Sequence, residues 1–284
     1  MDTRMIDLHV HSNASDGTFT PTDLVHEAVR AGLSAFALTD HDTTAGIEEA
    51  TKAAAKADIE LIPGVELSTE YEGKEIHVLG LYIDITNPKL QKQMTDFRDS
   101  RDNRNIYMLE KLRAQGFDIT QEALEASFPD AVLTRAHIAR YLKEKGYIPD
   151  IKTAFTKYIG EGCCCYVGRP KVTPMDAVDY ILEAGGTPVL AHPVVYHMED
   201  AQLCRMITEM KAHGLVGIEA IYSENTLSDE QHYKALAKEF DLLITGGSDF
   251  HGTNKPDIQL GKGRGSLYIP YVLLDQIKQA RSDK

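Results

Sequence analysis

Residues 5–11, MIDLHVH, read as a short β-strand that carries two histidines, His9 and His11, two positions apart. On an extended segment such side chains point to one face, so both imidazoles emerge together. Downstream, a helix is expected from about Pro21 to Ala31, with Thr20 as its N-cap, Pro21 in the first turn and Gly32 at the exit. AFALTDHD (35–42) is the next strand, and the alanine-rich TTAGIEEATKAAAKA (43–57) the next helix. IELIPGVELS (59–68) and EIHVLGLYID (75–84) read as two more strands.

From about Pro88 to Lys171 the chain is charged and helical, with little strand signal. One long helix should end at Gly116, followed by shorter ones over ITQEALEASF (119–128) and TRAHIARYLKEKG (134–146). The alternation then resumes. TPMDAVDYILEAGG (173–186) is a helix, and GTPVLAHP, VGIEAIY and DLLITGGSDFH are strands separated by helices. Seven strands separated mainly by helices point to an α/β fold, either a parallel barrel or an open doubly wound sheet. The expected division is a barrel from 1–87 and 172–284, interrupted at 88–171 by a small helical subdomain.

Composition narrows the class. Of 284 residues, 43% are hydrophobic and 26% charged, ordinary for a soluble globular protein. No apolar run reaches the twenty or so residues a membrane helix needs, and the first residues lack a secretory pattern, so a cytoplasmic location and no membrane partner are expected. The formal charge of −13 argues against a broad DNA-binding groove. Bound divalent ions would reverse the field locally, so a phosphorylated substrate stays compatible. Cys163, Cys164, Cys165 and Cys204 do not have zinc-knuckle spacing and are expected to be free thiols.

The polar residues fall where strands end. His41 follows the second strand, Glu66 ends the third, His77 lies in the fourth and His192 ends the fifth. Glu219 lies in the sixth, and Asp249 and His251 close the seventh, two apart like His9 and His11. In parallel α/β folds the carboxyl ends of strands open on one side, so such residues become neighbours. Imidazole with carboxylate suits zinc, manganese or iron, and seven or more groups exceed what one ion uses, which implies two or three. His26, His197, His213 and His232 lie on helices or loops and read as structural.

In this order, DLHVHSNASDG, LTDHD (38–42), GVELS (64–68), HVLG (77–80), LAHP (190–193) and SDFHG (248–252) resemble the PHP superfamily, named for polymerase and histidinol phosphatase domains. The resemblance implies a distorted seven-stranded barrel and a metal-dependent phosphoesterase. It implies a first ion on His9, His11, Glu66 and Asp249, a second on Asp16, His41 and His251, and a third, sharing Glu66, on His77 and His192. Asp16 stands where some relatives have histidine, which favours Mn2+ over Zn2+ or Fe2+. TRAHIAR (134–140) is similar to a motif of the bacterial subfamily that removes phosphate from 3′,5′-nucleoside bisphosphates and AMP, some members of which trim short RNA from the 5′ end.

On that resemblance Arg135 is the expected phosphate contact and charge stabiliser, its planar fork suiting bidentate binding. His137, Arg169 and Lys171 are further substrate contacts. The implied reaction is hydrolysis of a nucleotide phosphomonoester by a metal-activated hydroxide, with His192 as a proton donor if it is not a ligand. Three rivals remain: a histidinol-phosphate phosphatase, a metal-dependent amidohydrolase and a metal-stabilised binding module.

Overall fold

The structure, a computed structural model, describes residues 3–129, 131–168 and 172–282. Among them, seven strands form one sheet in chain order: β1 (Met5–Val10), β2 (Leu33–Leu38), β3 (Glu60–Tyr71), β4 (Lys74–Leu81), β5 (Thr187–Leu190), β6 (Gly217–Tyr222) and β7 (Leu243–Gly247). The exit of β7 returns to β1. His11 N–H donates to Phe250 O at 3.0 Å, and Asp249 N–H to His9 O at 2.9 Å. The sheet is therefore a nearly closed barrel, as the resemblance implied.

The all-parallel expectation is corrected at one strand. β1–β2, β2–β3, β5–β6 and β6–β7 pair in parallel, but β4 is antiparallel to both β3 and β5. The cause is local. Glu72 (φ 47°) and Gly73 (φ 85°) join Tyr71 to Lys74 in a two-residue hairpin with both central residues left-handed, a geometry glycine favours. Without a crossover helix the chain must reverse. β3 also runs on to Tyr71, so Glu66 lies within the strand rather than at its end, and β7 stops two residues before Asp249.

Period-two alternation explains how an apolar barrel carries a polar end. Ile62 and Glu66 lie on one face of β3, and His77, Leu79 and Leu81 on one face of β4. Ile62, Leu79 and Leu81 join Ile6, Leu8, Val189 and Ile221 in a buried cluster. The same face thus continues from hydrocarbon into ionisable groups.

Helices α1 (Pro21–Arg30) and α2 (Ile47–Ala57) cover β1 and β2, burying Leu24, Val25, Ile47 and Ala50 against Phe36 and Leu38. Thr20 caps α1 by accepting from Asp23 N–H. α2 starts four residues later than the alanine-rich pattern suggests and has no side-chain cap.

The chain divides into two compact units, Met1–Gln91 with Val172–Lys284, and Lys92–Lys171. The division falls within α3 (Pro88–Ala114). α4 (Gln121–Ser127) and α5 (Arg135–Glu144) follow. α6 (Ile151–Ala154) runs into a π-helical turn at Phe155–Ile159, neither of which the sequence pattern signalled. Met108, Leu112, Leu124, Ile138 and Leu142 are among the residues of this unit's own core. Completing the barrel unit are α7 (Pro174–Glu183), α8 (Asp200–Ala212), α9 (Leu227–Glu239) and α10 (Val272–Ser282). Among the described residues no helix is long and apolar enough to cross a membrane.

Candidate metal centre

Glu66 is the hub of the barrel's polar end. Its Oε2 lies 3.2 Å from His9 Nε2, 3.2 Å from His11 Nε2 and 3.1 Å from His41 Nδ1. Its Oε1 lies 2.9 Å from both His77 Nδ1 and His192 Nε2. Each carboxylate oxygen therefore faces its own set of imidazoles. His77 reaches this place because β4 runs backwards: the start of that strand, not its end, lies beside the carboxyl ends of its neighbours, with His77 opposite Ser68.

The other ligand-type residues complete the ring. Asp249 Oδ1 lies 3.4 Å from His11 Nε2 and 3.2 Å from His251 Nδ1. His251 Nε2 lies 3.1 Å from Asp16 Oδ1. Asp249 sits at φ 56°, a left-handed conformation aspartate tolerates better than most residues, so simple strand alternation does not describe the Asp249–His251 pair. Four groupings bring ligand atoms within 4.8 Å of one another: His11, Asp16, His41 and His251; His9, Glu66 and His192; His9, His11 and Asp249; and His41, Glu66 and His77. All nine expected ligand residues occur in these groups.

The donor set fits divalent ions. His9 Nε2, both nitrogens of His11, His41 Nδ1 and Glu66 Oε2 are buried without a hydrogen-bond partner. Polar atoms in that state are costly unless something else satisfies them. The electrostatics agree. Burial would raise the Glu66 pKa, but His41, His9 and His77 outweigh it and hold the carboxyl well below its usual range. Burial works against charge on His11, yet Asp249 and Glu66 raise it to about 9. At His41 burial prevails, helped by His11 and His77, and the pKa falls to about 3. The carboxylates draw cationic charge into the cluster, the role metal ions play in such sites.

Around these residues lies a shell of supports outside the expected ligand set. Glu219 Oε1 lies 3.1 Å from His9 Nδ1, and Oε2 accepts the His192 N–H at 2.8 Å. Asp40 accepts from Ser12 N–H at 2.8 Å, Ser12 Oγ at 2.6 Å and Ser15 Oγ at 2.6 Å, which secures the loop before Asp16. Asp7 accepts from Ser248 N–H and Gly261 N–H, both at 2.8 Å. Their signal was present: a carboxylate inside a strand-sized apolar run needs a partner. Asp40 was hidden by its neighbour His41.

The expected substrate contacts lie on the helical unit or outside the described residues. The Arg135 guanidinium carbon is 5.8 Å from the centre of the Phe155 ring and 5.6 Å from that of Tyr166. His137 Nδ1 accepts the Thr134 N–H at 3.0 Å and closes a capping box at the start of α5. Arg169 and Lys171 lie outside the described residues. Of the histidines expected to be structural, His213 pairs with Asp179 at 2.9 Å and His232 with Asp200 at 3.3 Å.

The family model for the PHP domain matches residues 7–244. A 5′-3′ exoribonuclease of Haemophilus influenzae is 40% identical over 249 residues, covering 88% of this chain and 90% of that protein. A 3′,5′-nucleoside bisphosphate phosphatase of Chromobacterium violaceum is 34% identical over 264 residues, covering 90% of each. A solved structure of a proposed metal-dependent phosphoesterase from Bifidobacterium adolescentis is similar at a TM-score of 0.85 and 31% identity, covering 98% of this chain and 96% of that one.

Proposed function

This chain belongs to the PHP domain family and is a metal-dependent phosphoesterase, and from that premise we propose that its substrates are nucleotides: a 3′,5′-nucleoside bisphosphate, AMP or the 5′ end of a short RNA. The observation that carries the reading is the Glu66 cluster, in which one carboxylate serves two sets of imidazoles through separate oxygens. The two relatives with nucleotide or RNA substrates in their names support the substrate class.

We assign His9, His11, Glu66 and Asp249 to a first ion, Asp16, His41 and His251 to a second, and Glu66, His77 and His192 to a third. The carboxylate in the second set supports manganese over zinc or iron. When bound, such ions supply Lewis acidity toward a water and toward phosphoryl oxygens. The protein's part is to hold the ligand atoms at fixed separations and exclude bulk water: His9, His11 and Glu66 are fully buried. His192 Nε2 faces Glu66 Oε1, which supports a ligand role over that of a proton donor. Arg135, and with it His137, is assigned to the substrate phosphate on the resemblance of TRAHIAR.

The test is phosphate release by manganese-loaded protein from 3′,5′-bisphosphoadenosine, AMP, a short 5′-phosphorylated RNA and histidinol phosphate. Preference for any of the first three is the expected result. Preference for histidinol phosphate would overturn the substrate class and keep the metal centre. Silence on all four, with hydrolysis of an amide or lactone, would move the chain to amidohydrolase chemistry.

A further inference from the structure

Asp249 is held from behind by two residues outside the ligand set. Its Oδ2 accepts from Tyr222 Oη at 2.9 Å and from Lys255 Nζ at 2.5 Å, while Oδ1 faces His9, His11 and His251. Tyr222 ends β6 and is 5% exposed. Lys255 comes from the short segment just after His251, whose Asn254 Nδ2 also donates to Asp16 O at 2.7 Å. That segment braces a residue of each of two expected ion sites.

We propose that Lys255 and Tyr222 are positioning residues that keep Asp249 monodentate, presenting Oδ1 alone to the metal centre, and that the Lys255 charge lowers the affinity of the ion held there. The proposal rests on the metal-ligand assignment above. Two physical effects lead to it. A carboxylate whose second oxygen is already shared by an ammonium and a phenol hydroxyl cannot chelate without breaking both bonds. A second carboxylate oxygen on the ion would also occupy a place that water needs in a hydrolytic site. The fixed ammonium, meanwhile, repels any divalent cation beside it.

The two effects separate in variants. Lys255→Met removes both charge and donor. With the repulsion gone it should bind Mn2+ about tenfold more tightly, and with the support gone turn over about tenfold more slowly. Tyr222→Phe removes a donor without charge, so turnover should fall while affinity stays near wild type. Lys255→Arg should restore both values. Affinity and stoichiometry are read by the electron paramagnetic resonance of free Mn2+ titrated into metal-free protein, with no substrate present. Weaker Mn2+ binding in Lys255→Met, or no change in either quantity, would overturn the proposal, as would failure of Lys255→Arg to rescue. If Lys255→Met does not fold, Tyr222→Phe decides: unchanged turnover overturns the monodentate role. A wild-type protein silent on the nucleotide panel would overturn the substrate reading and leave the Mn2+ titration standing.

Discussion

Glu219 holds His9 by its rear nitrogen: Oε1 lies 3.1 Å from His9 Nδ1, and both groups are fully buried. Glu219 can only accept, so the Nδ1–H donates to it, and Nε2 is the nitrogen turned toward Glu66 and Asp249. Glu219 Oε2 meanwhile accepts the His192 N–H at 2.8 Å, so one carboxylate sets two expected ligands.

Glu219→Gln should therefore be more damaging than its small change in shape suggests. An amide has one acceptor oxygen, so either His9 or the His192 N–H would face an NH2 group. The expected loss is about ten- to hundredfold in turnover or metal affinity. Steady-state kinetics beside metal content by mass spectrometry checks it; wild-type values in both would remove Glu219 from the site.

Asp40 should matter for the loop before Asp16. Asp40→Ala leaves the Ser12 N–H and the Ser12 and Ser15 hydroxyls without their acceptor. About 3 kcal/mol of stability should be lost, since each buried group left unsatisfied costs about 1–3 kcal/mol. Bound metal should fall by one ion, the one assigned to Asp16. Urea unfolding and metal stoichiometry measure the two effects independently.

Gly247 has no room for a side chain. An added Cβ would come within 2.2 Å of His9 Cβ and 2.7 Å of Glu219 Oε1. Gly247→Ala should destabilise the fold by about 3 kcal/mol, the upper part of the usual overpacking range, and displace His9. A variant with a wild-type melting temperature and full metal content would contradict this.

Away from the site, Glu60 offers a pH test. It accepts from Tyr82 Oη at 3.1 Å, Tyr271 Oη at 2.6 Å and Lys278 Nζ at 2.8 Å. Burial would raise its pKa, but Lys278 and Tyr271 outweigh it and hold it below 4.5. A depressed native pKa means stability that is fully present above the unfolded value and lost as pH falls through the native one. Chelator-treated Glu60→Gln should be less stable than wild type at pH 7, and the gap should shrink as the pH falls below about 4. A gap constant from pH 7 to pH 3 would show that Glu60 ionisation contributes nothing.

Much of the chemistry is legible in the order of residues along the chain. Histidines and acids inside or just after strand-sized apolar runs mark where ionisable groups enter a core, and caps such as Thr20 and Thr134 mark where helices start. The β3–β4 hairpin is less legible. Its Glu72–Gly73 turn carries a glycine signal, but with helices flanking most other strands the pattern suggests another parallel crossover. The supports are least legible. Nothing near Lys255 in the chain indicates that its ammonium reaches Asp249 Oδ2, because that contact depends on the loop path after His251.

The sequence by itself determined the residue types of the centre, the alternation that builds an α/β barrel and the family to which the chain belongs. These follow from local periodicity and from motifs whose order survives without coordinates. Tertiary structure alone decided that β4 runs backwards and delivers His77 from the first half of its strand. It also decided that Glu66 divides its oxygens between two sets of imidazoles, and that Glu219, Tyr222 and Lys255 stand behind the residues facing the centre. Strand direction, register and the approach of one side chain behind another are set by long-range packing, and spacing along the chain does not encode them.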